Sequence, residues 1–261
     1  MDNIVAIVAA HNEEGTIRNT LHILKGFKKR GIIHNILVVN DGSTDGTLED
    51  AHLADVKIIS HQKQSGKRKV FSTGVRRAHE MGATTILMLD ADIVEFSEKS
   101  AKEMIAAVRN PKKCLMATAQ QYEPSVYNDF GAVDGRVTDP HSNAQRAINM
   151  QAMEPLLRGN KKWIDIIEKN TKKKWGLEYA LDRLIPKNKK VFLRSASVTT
   201  RPAFRDQHKY EIERGGLRDL FFQQRKDRLY VDKVLDARQK LARKKKRQRN
   251  SRLRKFLRRK G

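Results

Sequence analysis

The chain has 261 residues, enough to bury the core of one large α/β domain, and it carries a formal net charge of +24. Residues 238–261 contain 14 Lys and Arg and no Asp or Glu, and this charge favours phosphates, anionic lipid headgroups or nucleic acid as partners. One cysteine excludes an intramolecular disulfide and indicates a reducing compartment, and no stretch reaches the ~20 apolar residues that a membrane-spanning helix needs.

Four short apolar runs alternate with helical patterns in the first part of the chain. The runs are rich in β-branched residues, as expected of strands that are buried on both faces, and they cover residues 3–10, 36–39, 56–59 and 85–89. Helices are predicted after the first run, where Ile17, Leu21 and Leu24 share a face, and over residues 70–81. This alternation predicts an α/β fold with a mostly parallel sheet and helices on both faces.

The second part of the chain is less regular. Its apolar patterns predict strands over residues 115–120 and 191–198. Helices are predicted over residues 144–157 and 161–184, the latter interrupted near 172–174, and an increasingly basic helical region is predicted from residue 217 onward.

Three polar clusters follow the predicted strands, at residues 11–14, 41–45 and 90–92. Ligands bind beyond the carboxyl ends of the strands in open parallel sheets, so we expect these clusters to converge on one edge. Asp90 and Asp92 lie two residues apart after a strand and point the same way, which suits a divalent cation such as Mg²⁺ or Mn²⁺. Asp41 suits a hydrogen bond to a nucleobase with Gly42 allowing close approach, whereas Asp45 suits a helix cap.

Two further charged residues each admit two interpretations. Lys67 precedes a predicted helix and suits a phosphate group, but residues 67–69 also fit an ordinary basic surface cluster. Glu178 lies among bulky apolar residues, which predicts a raised pKa and a role as a general base. An ordinary helix carboxylate is the alternative for Glu178.

Several motifs together resemble family 2 glycosyltransferases of the GT-A fold, in particular the enzymes that transfer sugars to polyprenyl phosphates. The motifs are the opening IVAAHNEE at residues 7–14, VVNDGSTDGT at 38–47, LDAD at 89–92, SNAQRA at 142–147 and GLEYAL at 176–181. In the opening motif Ala10 stands where the family more often has proline.

The resemblance implies a role for each candidate site residue. Contacts to the nucleoside are expected from Ala9, Ala10, Glu13 and Asp41. Lys67 and Asp90 are expected on the diphosphate side, and Asp92 as the main metal ligand. Arg146 is expected near the acceptor or the leaving phosphates, and Glu178 as the carboxylate on the acceptor side.

The implied activity is metal-dependent transfer from a UDP- or GDP-sugar, with inversion, to a polyprenyl phosphate or glycan. We expect a catalytic domain over residues 1–204 and a basic helical extension over 205–261. The extension predicts binding to an anionic membrane surface, so the expected location is the cytoplasm, peripheral on the cytosolic face of the membrane.

Two alternatives remain open at this point. Residues 135–138 are similar to the acceptor loop of glucosyl-3-phosphoglycerate synthases, which retain configuration and act on a small phosphorylated acceptor. In that interpretation His208 becomes a third metal ligand. The other alternative is a non-catalytic nucleic-acid-binding protein, although Phe256 is the only aromatic residue of segment 238–261 that could stack on a base.

Overall fold

The computed structural model of the protein describes residues 2–123, 127–128, 131–132, 136–137, 144–168 and 176–200. The strands are β1 (Ile4–Ala10), β2 (Asn35–Asn40), β3 (Lys57–Ser60), β4 (Thr85–Asp90), β5 (Ile93–Phe96), β6 (Met116–Glu123), β7 (Tyr127–Asn128), β8 (Gly131–Ala132), β9 (Arg136–Val137), β10 (Arg146–Asn149) and β11 (Lys190–Thr200). The α-helices are α1 (Ile17–Lys29), α2 (Thr47–Leu53), α3 (Lys67–Glu80), α4 (Glu98–Val108), α5 (Glu154–Leu157), α6 (Lys161–Ile167) and α7 (Leu177–Leu184). Short 3-10 turns cover Met150–Met153 and Lys187–Lys189.

One large sheet organises the described part of the chain. Its strand order is β3-β2-β1-β4-β10-β6-β11-β5, and β9 pairs with β6 beside this path. The pairs among β1 to β4 are parallel, as is the β6–β11 pair, whereas β10 is antiparallel to both of its neighbours. The predicted α/β class with a mostly parallel sheet is confirmed.

Two hydrophobic cores lie on opposite faces of this sheet. Successive residues of a strand point to opposite faces, so Ile4, Ala6 and Val8 of β1 enter one core while Val5 and Ile7 enter the other. The first core is covered by α1 and α4, and the second by α3, α6 and α7. Both faces of β1 are therefore buried, which explains why its sequence is a continuous apolar run.

The register of the parallel strands aligns their carboxyl ends. Ala9 pairs with Asp90 of β4, and Ala10 pairs with Asn40 of β2. The polar residues that follow these strands consequently lie along one edge of the sheet, as predicted. The far end of β11 reaches the same region, because Thr200 pairs with Ile93, the residue after Asp92.

Two predicted helices differ from the observed elements. Helix α3 begins at Lys67 rather than at residue 70, because Gly66, with a φ of 92°, supplies the turn that starts it. The helix predicted over residues 144–157 is wrong at its start, where β10 lies instead. All four residues of β10 are buried between β4 and β6, so tertiary pairing overrides the helical spacing of its apolar residues.

Other predictions fall partly or wholly outside the described residues. The helical pattern over 161–184 corresponds to α6 and α7, with a left-handed Gly176 before α7. The extension over 205–261 and its predicted helix lie outside the described ranges. Among the described residues, no helix has the length and apolar character that crossing a membrane requires.

Candidate active site

The loops that follow β1 and β2 are joined by direct hydrogen bonds. The Asn12 backbone N–H donates to Ser43 Oγ at 3.0 Å, and the Thr44 N–H donates to Asn12 Oδ1 at 2.9 Å. The Glu13 N–H donates to Thr47 Oγ1 at 2.7 Å, at the start of α2. Asn12 has a φ of 53°, a left-handed conformation that asparagine adopts more readily than most residues. The first two predicted polar clusters thus form one connected rim.

The Asp41 carboxylate binds the turn that precedes α3. Its Oδ1 accepts a hydrogen bond from the Ser65 N–H at 2.8 Å, and its Oδ2 accepts one from the Gly66 N–H at 2.7 Å. The Ser65 hydroxyl and the His61 ring also lie within 2.9 Å of Oδ1. Burial alone would raise the pKa of Asp41, but these hydrogen bonds hold it below its ordinary value. Asp41 therefore fixes the start of α3, and its contact with a nucleoside stays a prediction.

Gly42 and Asp45 also have local structural tasks. Gly42 has a φ of 67°, and a Cβ atom there would lie 2.6 Å from the carbonyl carbon of Lys63. The close approach that requires glycine is thus made by the protein's own backbone, whereas the sequence suggested a ligand. Asp45 Oδ1 accepts a hydrogen bond from the Thr47 N–H at 3.1 Å, but the N-cap residue of α2 is Gly46, so Asp45 binds the start of the helix from one residue before the N-cap and not, as predicted, from the cap position itself.

Lys67 joins two of the predicted site residues that are far apart in the sequence. Its Nζ lies 2.7 Å from Asp90 Oδ1 at the end of β4 and 2.9 Å from Glu178 Oε1 in the first turn of α7. The surface interpretation of residues 67–69 is wrong for Lys67 and Arg68, since only Lys69 of the three is exposed. The sheet edge and α7 are therefore connected through one ammonium group.

The charges of this trio shift one another's pKa values. Burial would lower the pKa of Lys67, but the Asp90 and Glu178 carboxylates raise it well above its ordinary range. Burial would raise the pKa of Glu178, but the Lys67 charge and hydrogen bond lower it overall. The predicted raised pKa of Glu178 is wrong, because the sequence did not reveal the cation that pairs with it.

Asp90 and Asp92 have different surroundings. Both oxygens of Asp90 have partners, since Lys67 contacts Oδ1 and the Gln145 side-chain amide donates to Oδ2 at 3.2 Å. Asp92 Oδ1 is buried and has no hydrogen-bond partner among the described residues. Burial, with the charges of Asp90 and Glu13, raises the pKa of Asp92 to about 8.

This arrangement fits a divalent cation in its chemistry. A buried carboxylate oxygen without a partner is costly, and a cation would satisfy it. Among the described residues no group of three or more His, Cys, Asp or Glu side chains surrounds a single point, so a cation here would need further ligands. His208, Gly135 and Thr138 lie outside the described ranges, and the predicted role of His208 is not tested.

Arg146 lies deeper than the resemblance implied. Its side chain is completely buried in β10, where the guanidinium donates to Asp182 Oδ1 at 3.1 Å and contacts Met116 Sδ. Its charge also helps to lower the pKa of Glu178. Arg146 therefore binds α7 to the sheet through its ion pair with Asp182, and its contact with phosphates stays a prediction.

Sequence reasoning did not single out Gln145 or Arg68. Gln145 binds Asp90 twice, because its amide also accepts a hydrogen bond from the Asp90 N–H at 3.2 Å. The buried Arg68 donates to the carbonyl of Ile166 at 2.8 Å and that of Gly176 at 3.4 Å, at the end of α6 and before α7. The available signal was their position, since Gln145 lies inside the SNAQRA motif beside Arg146 and Arg68 follows the candidate residue Lys67.

Comparison with known proteins gives a consistent assignment. Residues 5–158, more than half of the chain, match the sequence model of a family described as glycosyl transferase family 2. A relative from Methanococcus voltae, named UDP-N-acetylglucosamine–dolichyl-phosphate N-acetylglucosaminyltransferase, is 26% identical over 132 residues, which are 44% of this chain and 51% of the relative. An uncharacterized protein of Methanocaldococcus jannaschii is 38% identical over 91 residues, 35% of this chain and 36% of the relative. The chain spans about a third to a half of the length of these relatives.

A solved structure shares the fold. Glucosyl-3-phosphoglycerate synthase from Mycobacterium tuberculosis, crystallised with Mn²⁺, uridine-diphosphate-glucose and phosphoglyceric acid, superposes with a TM-score of 0.58 at 14% identity. The match covers 91% of this chain and 79% of that one. The predicted GT-A fold is confirmed.

Proposed function

Because the chain belongs to glycosyl transferase family 2, we propose that it moves a sugar from a UDP- or GDP-linked donor to a phosphorylated lipid or glycan. We expect the transfer to occur at the cytosolic surface of a membrane by a single inverting displacement. The observation that carries the proposal is the contact of Lys67 with both the end of β4 and the start of α7, close to the buried Asp92 Oδ1, which has no hydrogen-bond partner in the part of the chain that the structure describes.

The residues at the sheet edge would have different roles in such a transfer. Asp92 and Asp90 would hold Mg²⁺ or Mn²⁺. A bound cation of this kind would neutralise the charge that develops on the leaving diphosphate. Lys67 adds a positive charge within reach of the same phosphates, and Gln145 keeps the Asp90 carboxylate oriented. The similar synthase was crystallised with Mn²⁺ and a nucleotide sugar, which supports a divalent cation here.

His208 is our candidate for a further metal ligand. Strand β11 ends at Thr200, which pairs with Ile93 immediately after Asp92. Eight residues of chain span at most ~26–29 Å when fully extended, so the chain between Thr200 and His208 is long enough for His208 to serve as a ligand beside Asp92. The position of the end of β11 supports the proposal that the segment after it contributes to the cation site.

The state of Glu178 favours a phosphate acceptor over a hydroxyl acceptor. A sugar hydroxyl needs a base, and the lowered pKa of Glu178 makes it a weak one. A phosphate monoester is already an anion near neutral pH, with a second pKa of about 6, so it needs positive charge instead. The name of the Methanococcus voltae relative includes a dolichyl phosphate, which supports a lipid phosphate as acceptor.

The basic C-terminal segment supports action at a membrane surface. It contains 14 Lys and Arg between residues 238 and 261, and Leu253, Phe256 and Leu257 recur at helical spacing there. If this segment binds a bilayer, it would hold the catalytic domain at the surface in which a lipid-borne acceptor lies.

Asp92→Ala tests the catalytic assignment. The protein is incubated with UDP- and GDP-linked sugars and Mn²⁺ or Mg²⁺, and release of the nucleoside diphosphate is followed. We expect Asp92→Ala to lose ~10²–10³-fold in rate, the usual effect of removing charge stabilisation. Glu95→Ala, which removes an exposed carboxylate three residues further on, should keep wild-type activity. Near-wild-type turnover by Asp92→Ala with metal present would contradict the assignment.

Glu178→Gln distinguishes the two acceptor classes. With a short polyprenyl phosphate as acceptor, we expect a loss of less than about tenfold, because no base is needed. With a sugar hydroxyl as acceptor, removal of a general base typically costs ~10²–10⁴-fold. A loss of several orders of magnitude on the lipid phosphate would show that Glu178 acts as a base after all.

A further inference from the structure

The Lys67 ammonium lies where a bound cation would exert its charge on Asp90. It contacts Asp90 Oδ1 at 2.7 Å, while Gln145 occupies the other oxygen, so Asp90 has no oxygen left without a partner. Asp92, two residues away, has the opposite character, with one buried oxygen that lacks a partner among the described residues. The two predicted metal ligands are therefore not equally available for a further interaction in this structure.

We propose that Lys67 is a positioning residue that holds the place of the divalent cation at Asp90 until a nucleotide sugar arrives. A cation bound by Asp90 and Asp92 would bring two positive centres onto one carboxylate, and their repulsion would favour movement of Lys67 away from Asp90. Lys67 then needs another anion. The diphosphate of the donor is such a partner, so metal and nucleotide favour each other's binding.

The same displacement extends to Glu178. Lys67 is shared between Asp90 and Glu178 at nearly equal distances, 2.7 and 2.9 Å. When Lys67 turns toward the diphosphate, Glu178 Oε1 loses one partner on the acceptor side, while the charge of Arg146 still helps to keep the pKa of Glu178 low. Donor binding and the state of α7 are in this way linked through one side chain. This inference rests on the proposed function.

Mn²⁺ binding to the full-length protein tests the inference without any turnover. The electron paramagnetic resonance signal of free Mn²⁺ is titrated with wild-type protein and with Lys67→Met, each in the absence and presence of UDP or GDP. We expect Lys67→Met to bind Mn²⁺ alone about 5- to 150-fold more tightly than wild type, the usual range of coupling between two sites. The gain in Mn²⁺ affinity caused by the nucleotide should shrink in the variant, because no Lys67 charge remains to move from Asp90 to the diphosphate.

Three further variants make the result specific. Lys69→Met removes an exposed lysine from the same helix and should leave Mn²⁺ affinity within about twofold of wild type. Lys67→Arg retains the cation and should retain the weak binding of Mn²⁺ alone. Lys67→Gln keeps a hydrogen-bond donor and should also tighten Mn²⁺ binding, which covers the case in which the methionine variant does not fold.

The outcomes separate this inference from the proposed function. If wild type binds Mn²⁺ and transfers sugar, but neither Lys67→Met nor Lys67→Gln binds Mn²⁺ more tightly than Lys69→Met does, the inference is overturned and the proposed function stands. If wild type neither binds Mn²⁺ with nucleotide present nor releases nucleoside diphosphate from any donor, the proposed function fails, and the inference fails with it.

Discussion

At the scale of single residues, Asp41 illustrates how a motif carboxylate can act through another element. It accepts hydrogen bonds from Ser65 and Gly66, the two residues before Lys67, and its negative charge is stabilised by them. The position of the Lys67 side chain over Asp90 consequently depends on a residue of the β2 loop that does not touch either group.

Asp41→Asn is expected to destabilise the fold at neutral pH by ~1.5–3 kcal/mol, as hydrogen bonds to charged groups typically contribute. The folded-state pKa of Asp41 is lowered, so this contribution is fully present above the ordinary value of 3.8 and is lost as the pH falls below it. Thermal unfolding is measured for wild type and variant at pH 7, 5 and 3.5. The difference between their melting temperatures should become smaller only at the lowest pH. The exposed Asp55→Asn is the control, and a difference that persists unchanged at pH 3.5 would contradict this account.

The residue scale also shows what the sequence could and could not reveal about the site. Asp90, Asp92 and Glu13 follow strands whose apolar runs are unmistakable, so their convergence on one edge was predictable. The pKa of Glu178 was not, because it depends on Lys67, which is 111 positions earlier in the chain. Gln145 lies inside the SNAQRA motif, but its role was not predictable because it depends on a contact with Asp90, which is 55 positions earlier in the chain.

At the scale of elements, α3 connects the sheet to the helices that surround the site. Its first turn carries Lys67 and Arg68, whose side chains reach α7 and the end of α6. Further along, Ser72 and Arg76 both donate to the Glu168 carboxylate at 2.6 Å. Both halves of α3 therefore contact the region of α6 and α7. The packing of α3 against β1 fixes the position from which these side chains reach out.

Gly74→Ala tests how closely α3 packs on β1. A Cβ atom at Gly74 would lie 2.7 Å from Ile7 Cγ2, so we expect the substitution to destabilise the fold by ~1–3 kcal/mol despite the better helix propensity of alanine. Gly26→Ala in α1 is the matched control, because its Cβ would meet only the flexible end of the Arg30 side chain. This substitution should raise the free energy of unfolding by up to ~1 kcal/mol. Melting temperatures that change in the same direction for both variants would contradict this packing argument.

The elements themselves were predictable to different degrees. Strands β1, β2 and β4 are buried on both faces, which leaves continuous apolar runs in the sequence, whereas the edge strand β3 is only partly buried. Strand β10 was mistaken for a helix because it is only four residues long and contains Arg146, whose buried charge is matched by Asp182 across the fold. Because Asp182 is 36 positions from Arg146 in the sequence, their ion pair produces no local sequence pattern that would identify β10 as a strand.

At the scale of the whole molecule, charge is unevenly distributed along the chain, and the C-terminal segment holds most of the excess. We expect deletion of residues 238–261 to abolish binding to vesicles that contain anionic lipid, since each basic residue near such a surface contributes ~1 kcal/mol. Turnover with a soluble acceptor should be unchanged. Sedimentation with vesicles at low and high salt measures the effect, and retention on RNA but not on vesicles would contradict it.

Because Thr200 pairs with Ile93, the final 61 residues begin next to Asp92. A segment that adsorbs to a bilayer would tether the reaction centre to the layer in which a lipid acceptor diffuses, and tethering of this kind raises effective concentration to about the millimolar range. Weak intrinsic affinity for the acceptor would then suffice. The apparent KM for the acceptor should follow its mole fraction in the bilayer rather than its bulk concentration, so that dilution with inert lipid slows the reaction.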